Sequence, residues 1–180
     1  MEYKKKLIKP DPPKQYRRLR ILLVGESRVG KTSIASRLNN KGFDQKYNPT
    51  IGSDFFHGSI KGRGEEVKIN IFDMSGHSEF LEVRNEFYKE VQALVVVFDV
   101  SSKGSFDSLD MWLREANKYG GENLPVWIVG NKIDMDHRRE VEKSKASDWS
   151  KSRKFNGYFE VSASTGVGIN ELFVNIAFKI

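Results

Sequence analysis

The chain has 180 residues, of which 38% are hydrophobic, and it carries a formal net charge of +6 at pH 7 without any cysteine. This length is enough for one domain with a sizeable buried core. The lack of cysteine excludes disulfide bonds and thiolate metal sites, so we expect a cytoplasmic or nuclear protein. The sequence contains no apolar run long enough to cross a bilayer, and we expect no signal peptide.

The positive charge is concentrated at the start of the chain. Residues 1–20 contain far more basic than acidic residues, whereas the rest of the chain is electrically neutral overall. Together with three prolines, this composition predicts a flexible basic arm over residues 1–18 and one domain over residues 19–180. The arm is either a solvated tail or a contact to an anionic membrane or an acidic partner.

Apolar runs alternate with helical periodicity from Leu19 onward, which predicts a mostly parallel sheet covered by helices on both faces. The predicted strands cover residues 19–24, 53–60, 67–72, 93–100, 125–130 and 157–162. The predicted helices cover residues 31–40, 78–91, 105–119, 143–153 and 168–180. The turn-forming segment 61–64 predicts a hairpin, so one strand should be antiparallel. We therefore expect an α/β fold of three layers, with a six-stranded sheet and five helices.

The first predicted strand leads into a glycine-rich segment, Gly25–Thr32, with the sequence GESRVGKT. Its glycines let successive backbone N–H groups point towards an anion, and the following helix adds its N-terminus. Lys31 can reach the outer phosphates of a nucleotide, and the Thr32 hydroxyl can bind Mg²⁺. Arg28 either points into water or stabilises charge on the third phosphate. The predicted nucleotide contacts of this segment are Glu26, Ser27, Arg28, Val29, Gly30, Lys31, Thr32 and Ser33.

Two later segments are candidates for sensing a third phosphate. Thr50 can supply a second hydroxyl to Mg²⁺ when the γ-phosphate draws its loop inward. Asp73 ends the third strand, where its carboxylate can hold a water bound to the metal, and Gly76 lets its N–H approach the γ-phosphate. Tyr47 and Phe43 precede Thr50 and are predicted nucleotide contacts, although Phe43 is equally suited to the core.

The fifth and sixth predicted strands end in candidate contacts for a purine base. The Asp134 carboxylate can accept two hydrogen bonds from guanine, at N1–H and at the exocyclic amine, and adenine offers no such pair of donors. Asn131 can tie the base edge to the phosphate loop, and the stem of Lys132 can cover the base plane. The last strand adds Ser162, Ala163 and Ser164, of which the Ala163 N–H can reach guanine O6.

The motifs GESRVGKT, YNPTIGSDF, FDMSGH, NKID and VSAST resemble those of Ras-superfamily small GTPases, most closely the Rab branch. Residues 68–77 and 82–89 are similar to the Rab-like subgroup that carries a DnaJ domain (RBJ). The resemblance implies a P-loop NTPase fold, GTP or GDP with Mg²⁺ as cofactors, and switch loops around residues 43–52 and 73–90. Effectors, an exchange factor and a GTPase-activating protein would bind these loops. We expect a monomer with a role in signalling or intracellular transport.

One residue of the candidate site departs from that family's pattern. His77 stands where the family has a glutamine that orients the attacking water. A neutral imidazole has one donor and one acceptor nitrogen, and an imidazolium can only donate, so neither reproduces an amide. We therefore predict slow intrinsic GTP hydrolysis, with Lys31, Thr50, Gly76 and His77 as the catalytic residues.

The C-terminal part of the sequence also differs from that family's pattern. Without cysteine there is no prenylation, so we expect no lipid anchor. The last predicted helix keeps its core-facing spacing up to Ile180 without a glycine or polar cap, which predicts that the natural protein continues further.

Three functions stay open on this reasoning. The first is a Rab-like switch that alternates slowly between GTP and GDP. The second is a GTP-bound interaction module that hardly cycles. The third is an ATP-using phosphate-loop enzyme, against which the predicted guanine contacts argue.

Overall fold

The computed structural model describes residues 16–39, 42–44, 46, 48–121 and 123–180. Its strands are β1 (Arg17–Val24), β2 (Ser53–Gly62), β3 (Glu65–Met74), β4 (Ala93–Asp99), β5 (Val126–Asn131) and β6 (Gly157–Glu160). Within these described ranges, the six strands form one sheet in the order β2-β3-β1-β4-β5-β6. β2 is antiparallel to β3, and the other neighbouring pairs are parallel. The predicted α/β fold, with six strands of which one is antiparallel, is confirmed.

The helices are α1 (Lys31–Leu38), α2 (Leu81–Tyr88), α3 (Lys103–Asp107), α4 (Leu109–Gly120), α5 (Lys143–Ser152) and α6 (Ile169–Lys179). The described part of the chain thus has six α-helices where the sequence predicted five. The helix predicted over 105–119 is divided at Ser108, whose carbonyl accepts from the Met111 N–H at 3.0 Å, a bond over three residues that is typical of a tightened turn. The helix predicted over 78–91 begins with a 3₁₀ turn at Ser78–Phe80 and ends at Tyr88.

β1 begins at Arg17, two residues before the predicted start of the domain. Arg17 and Arg18 belong to the sheet because they pair in register with Val67 and Lys68 of β3. The first strand therefore begins two residues earlier than the predicted strand over 19–24. Residues 1–15, which make up most of the predicted arm, lie outside the described residues.

Alternate residues of β1 face two separate hydrophobic clusters. Ile21 and Leu23 pack with Ile34 of α1 and with buried residues of α6. On the other face, Leu22 packs with Trp112 of α4 and with residues of α2 and α5. This arrangement gives three layers, and it places the carboxyl ends of the parallel strands at one edge of the sheet. Ligands of open α/β sheets bind at such an edge.

The last turn of α6 is capped by side chains from distant parts of the chain. The guanidinium of Arg17 donates to the carbonyl of Ala177, and that of Arg63 donates to the carbonyl of Phe178. Both guanidinium groups lie within 6 Å of the centre of the Phe178 ring (5.9 Å and 5.6 Å). The local sequence shows no cap because these donors come from β1 and the β2–β3 turn. Among the helices described, none is both long and apolar enough to cross a membrane.

Candidate functional site

A cleft of about 600 Å³ opens at the edge of the sheet where the parallel strands end. It is lined by the loops that follow β1, β3, β5 and β6, and by the segment that precedes β2. Segments far apart in the sequence meet here because parallel strands deliver their carboxyl ends to the same edge. The predicted site residues that line the cleft are Ser27, Arg28, Gly30, Lys31, Thr32, Ser33, Phe43, Thr50, Gly76, His77, Asn131, Lys132, Asp134, Ala163 and Ser164.

Other predicted site residues lie behind the cleft or outside the residues that the structure describes. The side chain of Val29 is buried in the core, and Ser162 is fully buried beneath Asp134. The backbone carbonyl of Glu26 faces Lys31 instead of the open cleft. Tyr47 lies outside the described residues. Ser162 therefore positions another residue, and the side chain of Val29 contributes packing.

Lys31 is buried at the base of the glycine-rich loop. Its ammonium donates to the carbonyls of Gly25 and Glu26, each at 2.8 Å. Burial lowers the pKa of Lys31 to about 8, although the nearby Asp73 carboxylate opposes that shift. A buried ammonium with this pKa is stabilised by an anion beside it, so the loop suits a phosphate.

The oxygens of three predicted metal-binding residues converge below the cleft. The Thr32 hydroxyl donates to Asp73 Oδ2 at 2.5 Å and lies 3.0 Å from the Thr50 hydroxyl. Thr50 also donates to the same carboxylate oxygen, at 3.4 Å. The segment before β2 is therefore folded inward, with its hydroxyl next to that of the phosphate loop.

The surroundings of Asp73 suit a cation at this position. Its carboxyl group is fully buried, and Oδ1 has no hydrogen-bond partner among the described residues. Burial raises the pKa of Asp73 to about 6. Hydroxyl and carboxylate oxygens are ligands that Mg²⁺ prefers, and a cation would compensate the buried charge and the unpaired oxygen. The residues present therefore fit Mg²⁺.

That magnesium site would depend on the nucleotide for part of its coordination. Within the described ranges, no group of three or more His, Asp or Glu side chains could hold a metal by itself. Mg²⁺ usually combines one or two protein ligands with substrate phosphates and waters. Thr32 and Thr50, with Asp73 behind them, match that pattern.

The base-facing end of the cleft is held by three side-chain contacts. The buried Asn131 amide donates to the Val29 carbonyl at 2.8 Å and accepts from the Ala163 N–H at 3.0 Å. Ser162 donates to Asp134 Oδ1 at 2.5 Å, which fixes the carboxylate. Phe43 lines the cleft with 40% of its surface exposed, so it is not a core residue.

Gly76 lies directly against the phosphate loop. A Cβ atom at Gly76 would lie 2.4 Å from the Ser27 nitrogen and 2.7 Å from the Gly25 carbonyl oxygen. Because real Cβ atoms are never so close to backbone atoms, a side chain at this position would push the two loops apart. His77 follows with an exposed side chain at the rim of the cleft.

Sequence reasoning missed several residues that hold these loops together. Arg37 of α1 donates to the Ala163 carbonyl at 2.7 Å and to the Ser164 carbonyl. Asp99, which was also missed, forms an ion pair of 2.6 Å with the predicted base contact Lys132. The partner of Arg37 lies 126 positions further along the chain, so no local pattern could have identified the contact.

A sequence model of the Ras family matches residues 20–180. The chain belongs to the Ras family. Since the match extends over almost all of the described residues, the six-stranded sheet, the glycine-rich loop and the cleft above them are those of a Ras-family GTPase domain.

Comparison with individual proteins places the chain in a subgroup of that family. It is 45% identical over 161 residues to DnaJ homolog subfamily C member 27 from Rattus norvegicus and from Homo sapiens, and 44% identical to the Danio rerio protein. Each match covers 87% of this chain and 59% of the relative. The chain thus spans about three fifths of the length of these curated relatives. The predicted resemblance to the Rab-like subgroup with a DnaJ domain is confirmed.

Proposed function

We propose that the chain binds GTP and GDP together with Mg²⁺ and acts as a Rab-like molecular switch that hydrolyses GTP slowly. The observation that carries this proposal is the meeting of Thr32, Thr50 and Asp73 beneath a cleft that also holds Asp134. The glycine-rich loop, the two hydroxyls and Asp134 all line this one cleft, which supports a single bound nucleoside triphosphate as its ligand.

Each part of the cleft has a separate task in this proposal. The glycine-rich loop and Lys31 bind the phosphates, and Thr32 and Thr50 bind the metal with Asp73 behind them. Mg²⁺, when bound, neutralises phosphate charge during transfer to water. Asp134, held by Ser162, selects guanine because its carboxylate accepts from two donors that adenine lacks.

His77 supports the slow hydrolysis in this proposal. It lies at the rim of the cleft, beside the position expected for a third phosphate, with its side chain in solvent. A neutral imidazole there has its donor and its acceptor on different sides of the ring, so it does not present both to the water and the phosphate as the adjacent atoms of an amide do. The same observation favours the second candidate, an interaction module that stays bound to GTP. A hydrolysis assay over several hours separates the two.

An aromatic face beside the switch segments is suited to partner proteins. Phe55 of β2, Phe72 of β3 and Phe87 of α2 lie in a row with their rings tilted against one another, and the ring centres are 5.5 Å and 5.0 Å apart. Phe55 and the neighbouring Val83 are 54% and 43% exposed. Exposed apolar clusters of this kind are typical of protein interfaces. We propose that effectors contact this face, since it joins the strand after Thr50 to the helix after Gly76.

Calorimetry with nucleotide-stripped protein tests the proposal. GDP and a non-hydrolysable GTP analogue should bind in the presence of Mg²⁺, whereas ADP and an ATP analogue should bind far more weakly. A folded protein that binds none of them would exclude the switch and the GTP-bound module alike. Preference for ATP would favour the phosphate-loop enzyme instead. We retain three further predictions: the binding of regulators, a role in transport or signalling, and a cytoplasmic or nuclear location.

A further inference from the structure

Arg84 is a residue of α2 that is buried against α4, where its charge is paired. Its side chain is 3% exposed, and its Nε and Nη2 atoms donate to the two oxygens of Glu115 at 2.8 Å and 3.0 Å. Tyr88 donates to the same carboxylate at 3.0 Å. The guanidinium carbon lies 4.8 Å from the centre of the Trp112 ring. One edge of the Arg84 guanidinium is thereby fixed in position by α4.

The remaining nitrogen of Arg84 holds the loop that contains Gly76. Nη1 donates to the carbonyl of Ser75 at 3.0 Å and to that of His77 at 2.7 Å. These two residues flank Gly76, whose backbone lies directly against that of Ser27 in the phosphate loop. The guanidinium therefore connects α4 to the point at which the switch segment touches the phosphate loop.

We propose that Arg84 is a positioning residue that sets the affinity for GTP relative to GDP. The inference rests on the proposed function and deepens it. The N–H of Gly76 can bond a third phosphate only if the loop is held close to that phosphate, and GDP has no group at that place. Release of the Ser75 and His77 carbonyls should therefore weaken GTP binding and leave GDP binding largely unchanged.

The proposal also makes α4 part of the switch. A protein that binds near α2 and α4 and disturbs the Arg84–Glu115 pair would change the affinity for GTP, and by reciprocity GTP would change the affinity for that protein. Removing one partner of a buried ion pair leaves the other charge unpaired and destabilises the fold, so the test must separate positioning from stability.

Two variants make this separation. Arg84→Lys keeps the charge opposite Glu115 but lacks the planar fork that bonds the carboxylate and both carbonyls at once. The triple variant Arg84→Met, Tyr88→Phe, Glu115→Leu replaces the whole polar cluster by apolar groups, an exchange that proteins frequently tolerate without loss of stability. Tyr88→Phe alone is the matched control, because it leaves every hydrogen bond of Arg84 in place.

Calorimetry measures the affinities for GDP and for a non-hydrolysable GTP analogue, and thermal melting checks the fold of each variant. We expect the ratio of the two affinities to fall at least fivefold in Arg84→Lys and in the triple variant, with GDP affinity and the Tyr88→Phe control unchanged. Folded variants that keep the wild-type ratio, or that lose both nucleotides equally, would overturn the role of Arg84. A wild-type chain that binds neither nucleotide would overturn the proposed function itself and this inference with it.

Discussion

The side-chain amide of Asn131 donates a hydrogen bond of 2.8 Å to the backbone carbonyl of Val29, which lies 102 positions earlier in the chain. The same side chain accepts from the Ala163 N–H at 3.0 Å. One buried residue therefore ties the phosphate loop to the loop that follows β6. The distance between the phosphate and base sites is set by the protein before a nucleotide binds.

Asn131→Ala should weaken nucleotide binding and destabilise the fold. The substitution leaves the Val29 carbonyl and the Ala163 N–H without their partner, and a buried unpaired group costs about 1–3 kcal/mol. We expect GDP affinity to fall by about tenfold or more, measured by calorimetry, together with a lower urea midpoint. Asn170→Ala, an exposed change on α6, is the control. Wild-type GDP affinity in Asn131→Ala would contradict the role of this contact.

Asp134→Asn should change the preferred base from guanine to xanthine. An amide keeps an acceptor for Ser162 and N1–H, but it replaces the second acceptor by a donor. That donor repels the exocyclic amine of guanine and suits the oxygen that xanthine carries at the same position. Competition between GDP and xanthosine diphosphate for the stripped protein measures the change. If guanine stays preferred, Asp134 does not select the base.

The stability of the nucleotide-free and metal-free protein should depend on pH through Asp73. Burial raises the pKa of this carboxyl to about 6, above its usual 3.8, so the folded state holds the proton more tightly than the unfolded state. Its contribution to stability is full below pH 4 and is lost as the pH rises through 6.

Asp73→Asn isolates this contribution because the amide cannot ionise. Between pH 4.5 and pH 7.5, in EDTA, the free energy of unfolding of the variant should rise relative to wild type by about 2 kcal/mol, which is most of the value of a shift of roughly two pKa units. Urea unfolding at both pH values gives the comparison. A constant difference between the two proteins would mean that the Asp73 carboxyl is not perturbed in the folded state.

His77→Gln should speed up GTP hydrolysis. The glutamine amide can accept from the attacking water and donate to the phosphate at once, and positioned proton-transfer groups contribute on the order of 10²–10⁴ in rate. Single-turnover cleavage of bound GTP measures the effect, with the exposed His137→Gln as the control. An unchanged cleavage rate in His77→Gln would show that this position does not limit hydrolysis.

Local patterns predicted the parts of the site that are local in sequence. The glycine-rich segment 25–32 lies between a strand and a helix, so its backbone could be placed from spacing alone. Asp73 and Asn131 lie at the ends of β3 and β5, and Thr50 precedes β2, so the sheet brings all three to one edge. The family resemblance indicated the ligands that they would contact. Their positions followed from topology.

The supporting contacts could not be predicted because their partners are distant. Arg84 looks like a solvated residue on a helix until α4 brings Glu115 beside it, 31 positions away. Arg17 looks like part of a basic arm, yet it pairs with β3 and caps α6. The interruption at Ser108 coincides with a local bond from the Met111 N–H to the Ser108 carbonyl, which composition does not reveal.

The contact between Arg17 and Ala177 has a practical consequence. It places the start of β1 and the end of α6 side by side, whereas the phosphate loop begins at the other end of β1, about 26 Å away for eight extended residues. A surface tether or a fluorophore attached at the end of α6 therefore leaves the mouth of the cleft clear. Exchange and turnover can be followed on immobilised molecules without the linker obstructing entry.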